Sequence, residues 1–171
     1  MINIEFKDYA KDIKLNLSTI LKIDPESNLK ENQIFGIALS CAYATKNDEL
    51  VDFVLNKADG FIGDEEVNAA KAAATIMAMN NIYYRFTHLV SDKEYLKMPA
   101  KLRMNIIGNP GIDKVDFELY SLAVSAINGC GLCIDSHVKQ LVNSSVSKST
   151  IAHCIRIASV INAASQALFI S

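Results

Sequence analysis

What most restricts the fold of this chain is the spacing of its apolar residues, which recur three and four positions apart almost from end to end. Ile13, Leu17, Ile20 and Leu21 share one face near the start, and Ala38, Cys41 and Ala42 share another. Ala70, Ala73, Met77 and Ala78 repeat the pattern, as do Ile151, Ile155, Ala158, Ile161 and Ala164. That period belongs to helices; strands would need alternation by two, and β-branched alternating runs are scarce. Seven glycines and three prolines in 171 residues give the chain few places to break. The expectation is an all-α protein, long enough to bury a real core, in one domain over residues 1–171.

The breaks fall where helix chemistry places them. Gly63-Asp64-Glu65-Glu66 sets a capping Asp and first-turn acids ahead of a helix beginning near Val67. Asn109-Pro110-Gly111-Ile112-Asp113 reads as a turn, from which Asp113 and Asp116 start a helix running through Glu118. Asn128-Gly129 is a second break, and no Pro-, Gly- or Ser-rich linker divides the chain. The segments also repeat weakly: Ile37-Ala38-Leu39-Ser40-Cys41-Ala42 resembles Leu122-Ala123-Val124-Ser125-Ala126-Ile127, an offset of 85 (122 − 37). On that register Thr45, Asp48 and Asp52 stand where Cys130, Cys133 and His137 do. The scaffold then has two similar halves, with thiol chemistry in one.

A net charge of −2 without a dense Lys/Arg cluster gives no reason to expect a nucleic-acid or anionic-membrane partner. The stretch Ile157–Ser171 is too short to cross a bilayer and is interrupted by Asn162, Ser165 and Gln166. Met1–Asp8 carries acids where a secretory signal needs positive charge, and no apolar region follows. The expected location is the cytoplasm. There a structural disulfide framework is disfavoured, so a close pair among Cys41, Cys130, Cys133 and Cys154 reads as catalytic or metal-binding.

That pair lies in Asn128-Gly129-Cys130-Gly131-Leu132-Cys133-Ile134-Asp135-Ser136-His137. If a helix begins after Asn-Gly, Cys130, Cys133 and His137 fall on one stripe. Cα atoms three apart on a helix are about 5 Å from each other, within disulfide range. A helix N-terminus favours thiolate, the species that attacks a peroxide oxygen or a disulfide sulfur. His137, one turn on, can move the proton. Glu118 can hold and polarise that histidine, provided the break folds the two segments together.

The competing reading of a CxxC is half a zinc site, but four ligands are normally needed and no second CxxC or spaced His pair exists. A thioredoxin fold is disfavoured because no βαβ pattern surrounds the motif. Cys41 and Cys154 read as inert core residues, and His88 and His153 as satisfied structural histidines. The Met77–Phe86 run reads as packing at a subunit contact, with Asn80, Asn81 and Arg85 as buried polar groups fixing it.

At these residues the sequence resembles the alkyl hydroperoxide reductase AhpD family along essentially its whole length. The match includes Gly36-Ile37-Ala38-Leu39, Tyr83-Tyr84-Arg85-Phe86, Leu102-Arg103-Met104-Asn105 and Phe117-Glu118. It is densest from Leu122 through Cys133 to His137 and closes on Arg156-Ile157-Ala158-Ser159-Val160. The resemblance implies an all-helical fold of two similar halves, assembled as a homotrimer. It implies an antioxidant alkyl hydroperoxidase and disulfide reductase with no bound metal, flavin or haem. Electrons would come from dihydrolipoyl groups, as on a lipoylated dehydrogenase subunit, and serve to reduce the peroxiredoxin AhpC. By position, Cys133 would attack peroxide and become a sulfenic acid. Cys130 would be the more exposed cysteine, resolving the sulfenate and meeting the partner, while Glu118 and His137 relay protons. One position departs: Leu132 stands where well-known members carry histidine. A carboxymuconolactone-decarboxylase-like enzyme without redox chemistry, and a zinc-stabilised interaction module, are the other two classes.

Overall fold

The computed structural model describes residues 4–171; Met1, Ile2 and Asn3, part of the stretch read against a secretory signal, lie outside them. A 3-10 turn at Asp8–Ala10 leads into α1 (Lys11–Ile20), followed by α2 (Glu31–Thr45), α3 (Asp48–Ala58) and α4 (Asp64–Leu89). A second 3-10 turn (Lys93–Lys97) and the one-turn α5 (Asn105–Gly108) connect to α6 (Lys114–Ile127), α7 (Gly131–Asn143) and α8 (Lys148–Phe169). No strand occurs among the described residues, so the all-α expectation holds. Nor is any described helix long and apolar enough to cross a membrane.

Two helices form the centre. α2 is buried without interruption from Ile34 to Ala42, and α6 is buried at Phe117 and from Leu119 to Ser125. α2 packs against α3, α4, α6 and α8, and α6 against α4, α7 and α8. A helix enclosed on every side needs no polar face, so the spacing of three and four understates the burial of both. Their close approach needs a glycine: a Cβ at Gly36 would run into the hydroxyl and ring of Tyr120, which is itself fully buried.

The two halves repeat, on a register shorter than the sequence suggested. Helix starts at 31, 48 and 64 recur at 114, 131 and 148, offsets of 83, 83 and 84 (114 − 31, 131 − 48, 148 − 64). The buried runs starting at Ile34 and Phe117 share the offset of 83 (117 − 34). Asn47, Leu50 and Val54, rather than Thr45, Asp48 and Asp52, therefore occupy the positions of Cys130, Cys133 and His137. The first pair is a functional equivalent at the helix cap. Asn47 Oδ1 accepts from the Leu50 amide at 3.0 Å, as Cys130 Sγ accepts from the Cys133 amide at 3.3 Å.

Other local expectations resolve one by one. Asp113 caps α6, accepting from the Val115 amide at 2.8 Å. At α4 the cap is not Asp64, which is the first helical residue. Glu66 instead reaches back to accept from the Gly63 amide at 2.9 Å. Along α4, Ala70, Ala73 and Met77 are buried, but Ala78 is exposed and Asn80 and Asn81 take up the inward face. His153 is a satisfied buried histidine, with Nδ1 2.7 Å from Ser27 Oγ and Nε2 3.4 Å from the Ile20 carbonyl. His88, by contrast, is exposed on the last turn of α4.

The Gly36–Tyr120 crossing yields a test. Alanine is the better helix former by about 1 kcal/mol, yet Gly36→Ala should lower stability by about 1–3 kcal/mol because the core is overfilled. Urea unfolding followed by circular dichroism measures it. An unchanged or raised midpoint would mean that this glycine does not set the α2–α6 spacing.

Candidate active site

α6 ends at a tight reversal. The Asn128 amide donates to the Val124 carbonyl at 3.0 Å, the Gly129 amide to Ala126 at 3.2 Å and the Cys130 amide to Ser125 at 3.2 Å. These bonds occupy carbonyls that a helix end leaves without partners. They require Gly129 to adopt φ +68°, a region that side chains disfavour. Cys130 thereby becomes the N-cap of α7 and Cys133 lies in its first turn. The two are joined as a disulfide with their Cα atoms 5.3 Å apart. The Cys133 amide donates to Cys130 Sγ at 3.3 Å, and both residues lie at the positive end of the helix dipole.

The same reversal brings Glu118 on α6 against His137 on α7. Glu118 Oε2 lies 2.7 Å from His137 Nδ1, and both side chains are largely shielded from solvent. The condition that the sequence left open, that the break fold these segments together, is met. With Nδ1 held by the carboxylate, Nε2 is the nitrogen left to exchange a proton.

α4 grips the turn from the side. Asn81, 1 % exposed, donates from Nδ2 to Ser125 Oγ and accepts at Oδ1 from Asn128 Nδ2, both at 2.9 Å. Arg85 Nη1 donates to the Asn128 carbonyl at 2.7 Å. Asn81 and Arg85 thus fix a contact within the chain, beside the cysteines, and Arg85 is exposed rather than buried.

A cavity of about 460 Å³ opens on Cys133, His137 and Glu118. Met77, Leu132, Met104 and Ile107 supply apolar wall, and Asn80, Tyr84, Ser136 and Gln140 supply polar groups. Another cavity of equal volume, lined by Lys46, Lys71 and Arg85, contains no cysteine, histidine or carboxylate. The first cavity is the one lined by the expected site residues Cys133, His137 and Glu118. Sequence reasoning assigned Met77–Phe86 to packing and so missed that Met77, Asn80 and Tyr84 line it. Their spacing of three and four on α4 was the available signal.

The cysteine exposures reverse the order that the family resemblance implied. Cys130 is completely buried, whereas Cys133 is 7 % exposed and reaches the cavity. Of the two, Cys133 is the residue that lines the cavity. Cys41 and Cys154 are buried in the core as expected, with Cys154 Sγ donating to the Leu119 carbonyl at 3.3 Å. Burial pushes the Cys154 thiol up to about 12. It also raises that of Cys41, with the neighbouring Cys154 adding to the effect. Among the described residues no three His, Cys, Asp or Glu side chains are grouped closely enough to hold a metal ion.

The chain is similar to known proteins along most of its length. The sequence model of the Carboxymuconolactone decarboxylase family matches residues 93–170, the part containing Glu118, both paired cysteines and His137. A Coxiella burnetii protein named alkyl hydroperoxide reductase AhpD is 59 % identical over 162 residues, 95 % of this chain and 92 % of the relative. A Beijerinckia indica protein of the same name is 53 % identical over 94 % of this chain and 88 % of its own length. One from Azorhizobium caulinodans is 50 % identical over 94 % and 87 %.

Thiol reactivity separates the two kinds of cysteine. With its thiol near 12, Cys154 is ionised to only about one part in ten thousand at pH 8. After reduction, iodoacetamide at pH 7–8 should label Cys133 in the folded protein and leave Cys41 and Cys154 unlabelled. All four should react once the chain is denatured. Rapid native labelling of Cys41 or Cys154, read by peptide mass spectrometry, would contradict their burial.

Proposed function

The chain belongs to the alkyl hydroperoxide reductase AhpD family, and on that premise we propose that it is an antioxidant thiol enzyme reducing alkyl hydroperoxides through Cys130 and Cys133. The observation that carries this reading is Cys133. It is paired with Cys130, sits in the first turn of α7, and opens on a cavity shared with the Glu118–His137 pair.

In the dithiol form, the Cys133 thiolate attacks the terminal oxygen of the hydroperoxide. An S–O bond forms, the O–O bond breaks, and the electron pair leaves on the alkoxide, which takes a proton to become the alcohol. His137 Nε2 takes the thiol proton and returns it, with Glu118 stabilising the imidazolium between the two transfers. The Cys130 thiol then attacks the Cys133 sulfenic acid, forming the S–S bond and releasing water. Two thiols and one hydroperoxide become one disulfide, one alcohol and one water. First-turn amides favour the thiolate throughout.

The disulfide is restored to dithiol by a dihydrolipoyl group, such as that on a lipoylated dehydrogenase subunit. One of its thiols attacks the Cys133 sulfur, displacing Cys130, and its second thiol resolves the mixed disulfide. The apolar wall of Met77, Leu132, Met104 and Ile107 suits the hydrocarbon of either reactant. The reduced pair also passes electrons to the disulfide of the peroxiredoxin AhpC. Leu132 contributes apolar surface where family members place an imidazole, so proton transfer rests on Glu118 and His137. A cytoplasmic homotrimer completes the proposal. Exposed Ile82, Phe86 and Leu89, spaced four and three along α4, offer an apolar face for the subunit contact.

Turnover of cumene hydroperoxide with dihydrolipoamide, with and without AhpC, tests the reading. Cys133→Ser should abolish peroxide reduction, whereas Cys41→Ser and Cys154→Ser should leave it largely intact. Glu118→Gln or His137→Ala should slow it by at least about tenfold with the helical circular-dichroism signal unchanged. Retained activity in Cys133→Ser would overturn the proposal, and wild-type rates in both relay variants would remove the proton relay from it.

A further inference from the structure

α4 carries two adjacent asparagines that face different neighbours. Asn81 is consumed by Ser125 and Asn128. Asn80 lines the Cys133 cavity together with Met77 and Tyr84, three before it and four after. It is 5 % exposed, and its Oδ1 has no hydrogen-bond partner among the described residues. Glu118 and His137 in the same cavity satisfy each other. Ser136 and Gln140 are exposed to water and Tyr84 is half-buried. Asn80 is therefore the most deeply buried polar group there whose hydrogen-bonding capacity goes unused.

A buried carboxamide oxygen without a partner weakens a fold, and leucine, with the same branched skeleton, would occupy the place without that cost. Stability alone gives no reason for asparagine at this position. A guest in the cavity does. We propose that Asn80 is a substrate-binding residue whose carboxamide hydrogen-bonds the hydroperoxide group held beside Cys133, an inference that rests on the peroxide-reducing function above.

The chemistry matches on both sides. A hydroperoxide offers one O–H donor and acceptor oxygens, and a carboxamide offers an acceptor oxygen and an amino donor. A half-turn about Cβ–Cγ exchanges the two, so either can meet the guest. Being neutral, the side chain neither repels the Cys133 thiolate nor competes with Glu118 for His137. Disulfide and dithiol reactants hydrogen-bond weakly through sulfur, so Asn80 should matter for peroxide far more than for thiol–disulfide exchange.

That difference is the test. Wild-type protein, Asn80→Leu and Asn80→Ala are reduced, freed of reductant, and mixed rapidly with tert-butyl hydroperoxide or, separately, with dithiobis-nitrobenzoate. Oxidation by the hydroperoxide should slow about tenfold or more in both variants, as when an enzyme loses one donor to a reacting oxygen. Reaction with the aromatic disulfide should stay within about twofold of wild type. Asn80→Leu should melt no lower than wild type, because an unpartnered oxygen has been removed. Unchanged peroxide rates would overturn the proposal. So would parallel loss in both reactions, or loss of helical signal in both variants, since either makes Asn80 a structural residue. A wild-type protein inert to hydroperoxide but reactive with the disulfide would instead overturn the peroxide-reducing function, and this inference with it.

Discussion

The reversal at Asn128-Gly129 governs the arrangement of the dithiol. Because Gly129 adopts φ +68°, the Cys130 amide can reach back to Ser125 and close the end of α6 while Cys130 caps α7. The first turn of α7 then sets the 5.3 Å Cα separation of the cysteines, and the reversal sets the 2.7 Å contact of Glu118 with His137. A side chain at residue 129 would strain this backbone. Movement of the turn would part the Glu118 carboxylate on α6 from the imidazole and sulfurs carried by α7. Asn81 and Arg85, bonded to Ser125 and Asn128, hold it against the long α4.

The turn in turn stands on α2 and α6. α6 is anchored over most of its length in the core, where Gly36 lets α2 approach Tyr120. The other half of the chain uses the same device for a different end. Asn47 caps α3 with an amide oxygen where Cys130 caps α7 with sulfur. The capping geometry belongs to the scaffold, and the proposed thiol chemistry rests on sulfur placed in it and imidazole one turn further on.

Much of this could be read from residue patterns, because helix period, turn residues and i, i+3, i+4 spacing are local. The all-α class, the helix start at Asp113, the break at Asn128-Gly129 and the shared stripe of Cys130, Cys133 and His137 are of that kind. What could not be read depends on contacts between distant segments. Asn80 and Asn81 are neighbours in sequence, yet one lines the cavity and the other binds the turn, because α4 packs against both α6 and α7. The exposures of Cys130 and Cys133 depend on packing around the turn, and the resemblance implied them in the wrong order. The repeat was misaligned by two because Ala- and Ser-rich helices match one another at several offsets. Helix caps and burial fix the register as 83.

On the proposed function, one hydroperoxide is reduced at the expense of one specific pair of thiols. Adding one equivalent of an alkyl hydroperoxide to the fully reduced wild-type protein and counting the products tests it most directly. One alcohol should form per protein chain, with two thiols lost, a single disulfide between Cys130 and Cys133, and Cys41 and Cys154 still free. Peroxide left unconsumed while the dithiol persists, or oxidation mapped to Cys41 or Cys154, would contradict it.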